Sequence, residues 1–163
     1  MARRSITLVA ALLLVLALAP GAVARERGTD RPIWSNQSGD VSFYWVGVPG
    51  VDPCPLKAVS DSYGPMSHLG MVWIHWEHCS PVTLPVYTNL HFTITAADGD
   101  TLAGTYDING EGPYPMDISG GTGRFTGATG HLQVEFRLEG EWANDFPVNP
   151  WQGWWQMKGT ISY

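Results

Sequence analysis

The chain has 163 residues, nine basic against fifteen acidic, a formal charge of −6, and unusually many glycines (19), prolines (12) and tryptophans (8). The acidic balance excludes nucleic acid and anionic membrane surfaces as partners, because both need a basic footprint. The length admits one domain with a sizeable core and not two.

Residues 1–24 have the layout of a secretory signal. Arg3 and Arg4 form the charged head, Ile6 to Ala19 the apolar stretch, and Ala22-Val23-Ala24 the small-residue cleavage site. Removing this segment leaves seven basic and fifteen acidic groups, a net charge of −8. The remaining chain is therefore expected outside the cytoplasm, and no later apolar run is long enough for a membrane-spanning helix. Residues 25–40 are polar and read as a flexible leader, in which Asn36-Gln37-Ser38 matches a glycosylation acceptor. The folded domain is expected over residues 41–163.

Val41, Phe43 and Trp45 alternate with Ser42 and Tyr44, which predicts a strand ending near Val48-Pro49-Gly50. Residues 51–65 look loop-like around Cys54, with a short strand near Leu56–Ser60. The two cysteines, Cys54 and Cys79, belong to a chain read as exported, where a pair forms a disulfide more readily than it persists as thiols. Rigid Pro53 and Pro55 around Cys54 suit a staple, and a Cys-x-x-Cys redox spacing is absent.

In Gly70–His78, Val72, Ile74 and Trp76 form the more apolar face and are expected to point inward. His75 and Glu77 then face solvent beside Cys79, with His78 on the opposite side. Alternate His and Glu can ligate zinc from one strand, but a site needs a third protein ligand, so no metal is expected. The hairpin Leu90–Ile108 is registered by parity. A two-residue Asp98-Gly99 turn sets Ile94 against the wrong face, whereas a three-residue Ala97-Asp98-Gly99 loop, with Gly99 at positive φ and a bulge beside Asp100, places Ile94 with Leu102.

A strand over Tyr114–Ile118 leads to a run holding five glycines in eleven residues, Gly120, Gly121, Gly123, Gly127 and Gly130 around Phe125. Such density marks a tight reversal. It is not a phosphate-binding loop, because the segment that follows alternates as a strand instead of opening a helix. Leu132, Val134, Phe136 and Leu138 are its inner face, and Glu135, Glu139 and Glu141 lie outside, where charge serves solubility and makes no glycosidase pair. Phe125 is expected to turn inward and plug one end of the structure. In the last strand, Trp155, Met157, Gly159 and Ile161 face in. Trp142, Trp151 and Trp154 are expected around the rim.

The run resembles the Gly-Gly-(Thr/Ser)-Gly-x-Phe-x-Gly-(Ala/Val)-x-Gly signature of the allene oxide cyclase and dirigent β-barrels. Ser67-His68-Leu69-Gly70 and the ending Gly159-Thr160-Ile161-Ser162-Tyr163 are also similar to small secreted bacterial proteins that share this signature. The resemblance spans nearly all of the chain after residue 24. It implies a barrel whose glycine run is a structural corner, and a lumen that could shape a reactive intermediate. None of the cyclases' catalytic groups has a counterpart in the shared motif.

Seven strands, or eight with Leu56–Ser60, predict an all-β fold closed into a single antiparallel barrel, since an open sheet of these lengths leaves hydrophobic edges exposed. A barrel of that size either fills its interior or holds one small ligand. The inward aromatic residues Trp45, Phe92, Tyr106, Phe136 and Trp155 are the candidate ligand-binding set. No catalytic constellation or cofactor motif stands out. The expected function is therefore non-catalytic binding of a small apolar or aromatic molecule, with an isomerase, cyclase or dirigent-like activity in the lumen and a structural module of the envelope as the alternatives.

Overall fold

Eight strands pair with their sequence neighbours, all antiparallel, and the last pairs with the first, closing a barrel. They are β1 (Arg31–Trp45), β2 (Leu56–Met66), β3 (Gly70–Ser80), β4 (Thr88–Ala96), β5 (Thr101–Tyr106), β6 (Tyr114–Gly121), β7 (Thr129–Ala143) and β8 (Phe146–Ser162). The computed structural model describes residues 28–80 and 86–163, so residues 1–24, read above as a secretory signal, lie outside the described residues. Among those described, no helix is long and apolar enough to cross a membrane.

Because direction alternates, β1, β3, β5 and β7 finish at one end of the barrel, where β2, β4, β6 and β8 begin. The opposite end is filled. There the glycine run forms a single 3₁₀ turn, Gly123–Phe125, between β6 and β7. Phe125 is fully buried and meets Tyr163 edge to face at 4.9 Å. Three hydrogen bonds fold the backbone round it: Phe125 N donates to Thr122 O, Thr126 N to Gly123 O, and Ala128 N to Phe125 O. The Asp100 carboxylate accepts from Arg124 N at 3.0 Å and lies against Gly123, which sits at φ 55°. Any side chain at Gly123 would strike that carboxylate. Corner and plug are thus as expected, with Leu102, Met116, Leu132 and Ile161 packed into the same core cluster.

The β4–β5 hairpin also follows the parity reading. Ile94 stands opposite Leu102, and Gly99 has φ 90°. Val72, Ile74 and Trp76 point inward on β3, as do Leu132 and Val134 on β7.

Two expectations fail, for one reason. Residues 31–40 are not leader: β1 begins at Arg31 and pairs with β8 from Ile161 to Trp151. Residues 56–65 are not a loop with a short strand but most of β2, an eleven-residue strand. In the middle of both strands the inward positions carry polar residues, Ser35 and Gln37 in β1 and Ser60 and Ser62 in β2, all buried. Hydrophobic alternation therefore vanishes where the barrel wall is polar on its inside.

Cys54 and Cys79 are joined, with Cα atoms 5.3 Å apart and a sequence separation of 25. The bond ties the loop before β2 to the end of β3 at the unfilled end, and it is the covalent state expected of an oxidising compartment. Because the cross-link narrows the unfolded ensemble, reduction is expected to lower the melting temperature. An unchanged melting curve, with two thiols titrating after reduction, would contradict that stapling role.

Candidate ligand cavity

The unfilled end holds a cavity of about 250 Å³. Its floor is aromatic. Trp76 of β3 and Trp155 of β8 lie nearly parallel, 6.4 Å between ring centroids and 14° between planes, and Tyr106 of β5 meets Trp76 edge on at 5.1 Å. Phe136 of β7 lines the wall and is stacked on Tyr114 at 5.2 Å.

The rim is built by the long β7–β8 hairpin. A register shift between Glu139 and Glu141 breaks the ladder, and such a bulge re-aims the side chains beyond it. Trp142 thereby packs against Trp151 at 5.2 Å and Phe43 at 6.1 Å. Asn149 imitates a strand partner: its Oδ1 accepts from Phe43 N at 2.9 Å, and its Nδ2 donates to Phe43 O at 2.7 Å. These bonds fasten the arm of β8 to the end of β1 and hold Phe43 at the mouth.

Three polar side chains of the lining come from two adjoining strands. His78 and Ser80 lie on β3 and Ser60 on the adjoining β2, all lining the cavity. The Oγ atoms of Ser60 and Ser80 are buried without a hydrogen-bond partner among the described residues, as is Oε1 of Gln37 on β1. A buried polar atom left unpaired costs roughly 1–3 kcal/mol, so the two serine hydroxyls form a conspicuous defect in a cavity that is otherwise largely apolar. His78 Nδ1 is 2.6 Å from the Tyr106 hydroxyl, which is also 3.3 Å from Glu77 O.

Burial pushes the His78 imidazole down to about 4, so the ring is neutral near pH 7. Burial first, and the Glu77 carboxylate second, hold the Tyr106 phenol well above its ordinary value. None of the seventeen lining residues is Asp, Glu, Lys or Arg. A charged ligand would thus shed its hydration without meeting a counter-charge, which is costly.

Of the five aromatic residues picked from the sequence, the cavity gathers Tyr106, Phe136 and Trp155. Trp45 and Phe92 are corrections. Trp45 is the last residue of β1, beyond the wall, 41% exposed and edge on to Phe146 at 5.9 Å. Phe43, two residues earlier on the same face, takes the inward place. Phe92 is buried against Trp76 at 5.9 Å and belongs to the packing beneath the floor.

Sequence reasoning passed over His78, Ser60 and Ser80. The signal for His78 was present, because it shares the parity of Val72, Ile74 and Trp76. On the outer face of β3, His75 Nδ1 hydrogen-bonds Asp61 at 2.8 Å and Glu77 pairs with Lys57 at 2.7 Å, a solvated polar row. Among the described residues no three His, Cys, Asp or Glu side chains converge as metal ligands do. Glu135, Glu139 and Glu141 are exposed on β7.

No family model matches the chain, and no curated protein matches it in sequence.

Proposed function

We propose that the protein is an exported, non-catalytic carrier that holds one small, neutral, mostly aromatic molecule in the barrel lumen. The observation that carries this reading is the uncharged aromatic cavity with unpartnered hydroxyls on one wall, since small-molecule sites are concave, largely apolar and furnished with a few placed polar groups. Size narrows the class. A dry cavity of roughly 150 Å³ takes benzene, so the 250 Å³ here suits a two-ring aromatic. The amino-terminal segment and the disulfide support export, and the glycine corner keeps the proposed kinship with the cyclase and dirigent barrels.

A lumen isomerase is the second reading, favoured by the His78–Tyr106 pair. It ranks lower because a base whose conjugate acid has a pKa of about 4 takes protons from carbon poorly. An envelope module with a filled core ranks below both, since the lumen is open.

Native mass spectrometry of protein purified from its own source is expected to show an adduct of a neutral two-ring compound, and titration with naphthalene derivatives should quench tryptophan fluorescence to saturation at one site per chain. Absence of both an adduct and any saturable quenching would remove the carrier reading.

A further inference from the structure

The outer wall of the barrel carries a second set of aromatic residues that the core does not use. Trp34 on β1, Tyr63 on β2, Trp73 on β3 and Trp154 on β8 point away from the lumen and are 42–54% exposed. Trp154, expected at the rim, stands instead on this wall. Strand pairing aligns the set: Arg137, Trp154, Ser38, Tyr63 and Trp73 form one row across five neighbouring strands. Glu135, Gln156 and Asn36 make a parallel row beside it, and Gln133, Lys158 and Trp34 the row after that.

Three of the rings are steadied by neighbours. The Trp73 indole N–H donates to Asp61 at 3.1 Å, Tyr63 leans on Trp73 at 6.2 Å, and the Arg137 guanidinium lies 5.8 Å from the Trp154 ring centroid. Trp34 borders an open cleft of about 320 Å³ whose lining includes Asn36, Gln133, Gln156, Glu135 and Lys158. Among the described residues the three amides of that lining have no hydrogen-bond partner. Surface aromatics are ordinary one at a time. Here flat apolar faces alternate with uncharged groups that both donate and accept.

That alternation selects among occupants. A protein interface centres on apolar surface with its charges at the rim, whereas Ser38 parts Trp154 from Tyr63, and Asn36 and Gln156 stand between Trp34 and Trp154. A lipid surface would strip water from those amides and give them no partner. A pyranose ring matches both elements, since its axial C–H bonds form a flat face that stacks on an aromatic ring and its equatorial hydroxyls donate and accept at the edge. Lys158 and Glu135 cancel within the cleft, and the acidic chain opposes a polyanion. Trp154 and Tyr63 are two strand spacings apart, roughly 10 Å, and Trp34 is four residues along β1 from Ser38, roughly 13 Å. One sugar cannot reach all three stations, but a chain can.

We propose that the outer face centred on β1 and β8 binds an uncharged, extended β-1,4-linked polysaccharide. Trp34 and Trp154 are its stacking stations, and the amides of Asn36 and Gln156 hold the hydroxyls between them. All-equatorial linkage keeps successive rings in a flat ribbon that can lie along such a wall. The surface is separate from the lumen and independent of the carrier reading.

The test is isothermal titration calorimetry with cellohexaose and chitohexaose, set against maltohexaose, whose axial linkages coil the chain, and hexagalacturonate, a polyanion. Saturable binding of at least one of the first two, undiminished by added salt, is expected, and which of them binds tells a glucan from an acetamido glycan. Trp34→Ala and Trp154→Ala should each weaken it about tenfold, and Gln156→Ala by a smaller factor. All three side chains are exposed, so melting temperatures near that of the wild type should accompany the loss. Binding of neither neutral β-1,4 hexamer, equal or tighter binding of maltohexaose or hexagalacturonate, or wild-type affinity in the Trp34→Ala/Trp154→Ala double variant would each overturn the glycan face and leave the carrier reading standing.

Discussion

Replacing Phe125 by alanine is expected to lower the unfolding free energy by roughly 3–5 kcal/mol, the usual cost of emptying a phenylalanine site in a core. The ring is wholly buried, faces Tyr163 edge on and is covered by the Arg124 guanidinium 4.6 Å from its centroid. The backbone around it cannot collapse into the void, because the turn is pinned by its own hydrogen bonds and by Asp100. Gly123→Ala should lose more than about 1 kcal/mol by a separate route: at φ 55° an added Cβ is strained and also displaces the carboxylate that caps Arg124 N. Urea midpoints for both variants beside Glu139→Ala, an exposed control on β7, provide the check. Midpoints at the wild-type value for both would mean that the corner is a pliable loop and not the barrel's plug.

The parts of the fold that the sequence disclosed are those where the inner face is apolar. Val72, Ile74 and Trp76, the β4–β5 hairpin and the row from Leu132 to Leu138 all obey a period of two, and each lands inside. The glycine corner is readable for a different reason, since a dense glycine run has few uses other than a tight reversal.

What escaped is the wall formed by β1 and β2. A barrel that keeps Ser35, Gln37, Ser60 and Ser62 inside erases its own hydrophobic alternation there, and only pairing with β8 and β3 reveals the strands. Local rules break most readily at functional places, and this wall supplies two of the three orphaned polar atoms, Gln37 Oε1 and Ser60 Oγ. Trp45 shows a second limit. Parity assigns a face but not where the wall ends, so Phe43 at the mouth and Trp45 beyond it carry the same signal. The placement of Trp142 depends on the register shift between Glu139 and Glu141, which no alternation pattern foretells.

The stability of the protein should fall as the pH drops from about 6.5 to about 4, and His78 should account for a large part of that fall. Its imidazole has a pKa of about 4 in the folded chain against 6.5 for an unburied histidine. Between those values the unfolded chain takes up a proton that the folded chain refuses, so acid favours unfolding; above pH 6.5 neither state is charged and the contribution is constant. At about 1.4 kcal/mol for each pH unit, the window is worth up to about 3 kcal/mol. The refusal has a structural cause, because a charged ring would sit in an aromatic lumen whose lining offers no carboxylate. The decisive quantity is a difference between two proteins. Unfolding free energies of wild type and His78→Gln, which keeps a neutral polar side chain beside Tyr106, should diverge by up to that amount, the wild type losing stability faster as the pH falls. Parallel curves between pH 7 and pH 4 would show that His78 takes up its proton in the folded state as freely as in water, and that the lumen is wetter than its aromatic lining implies.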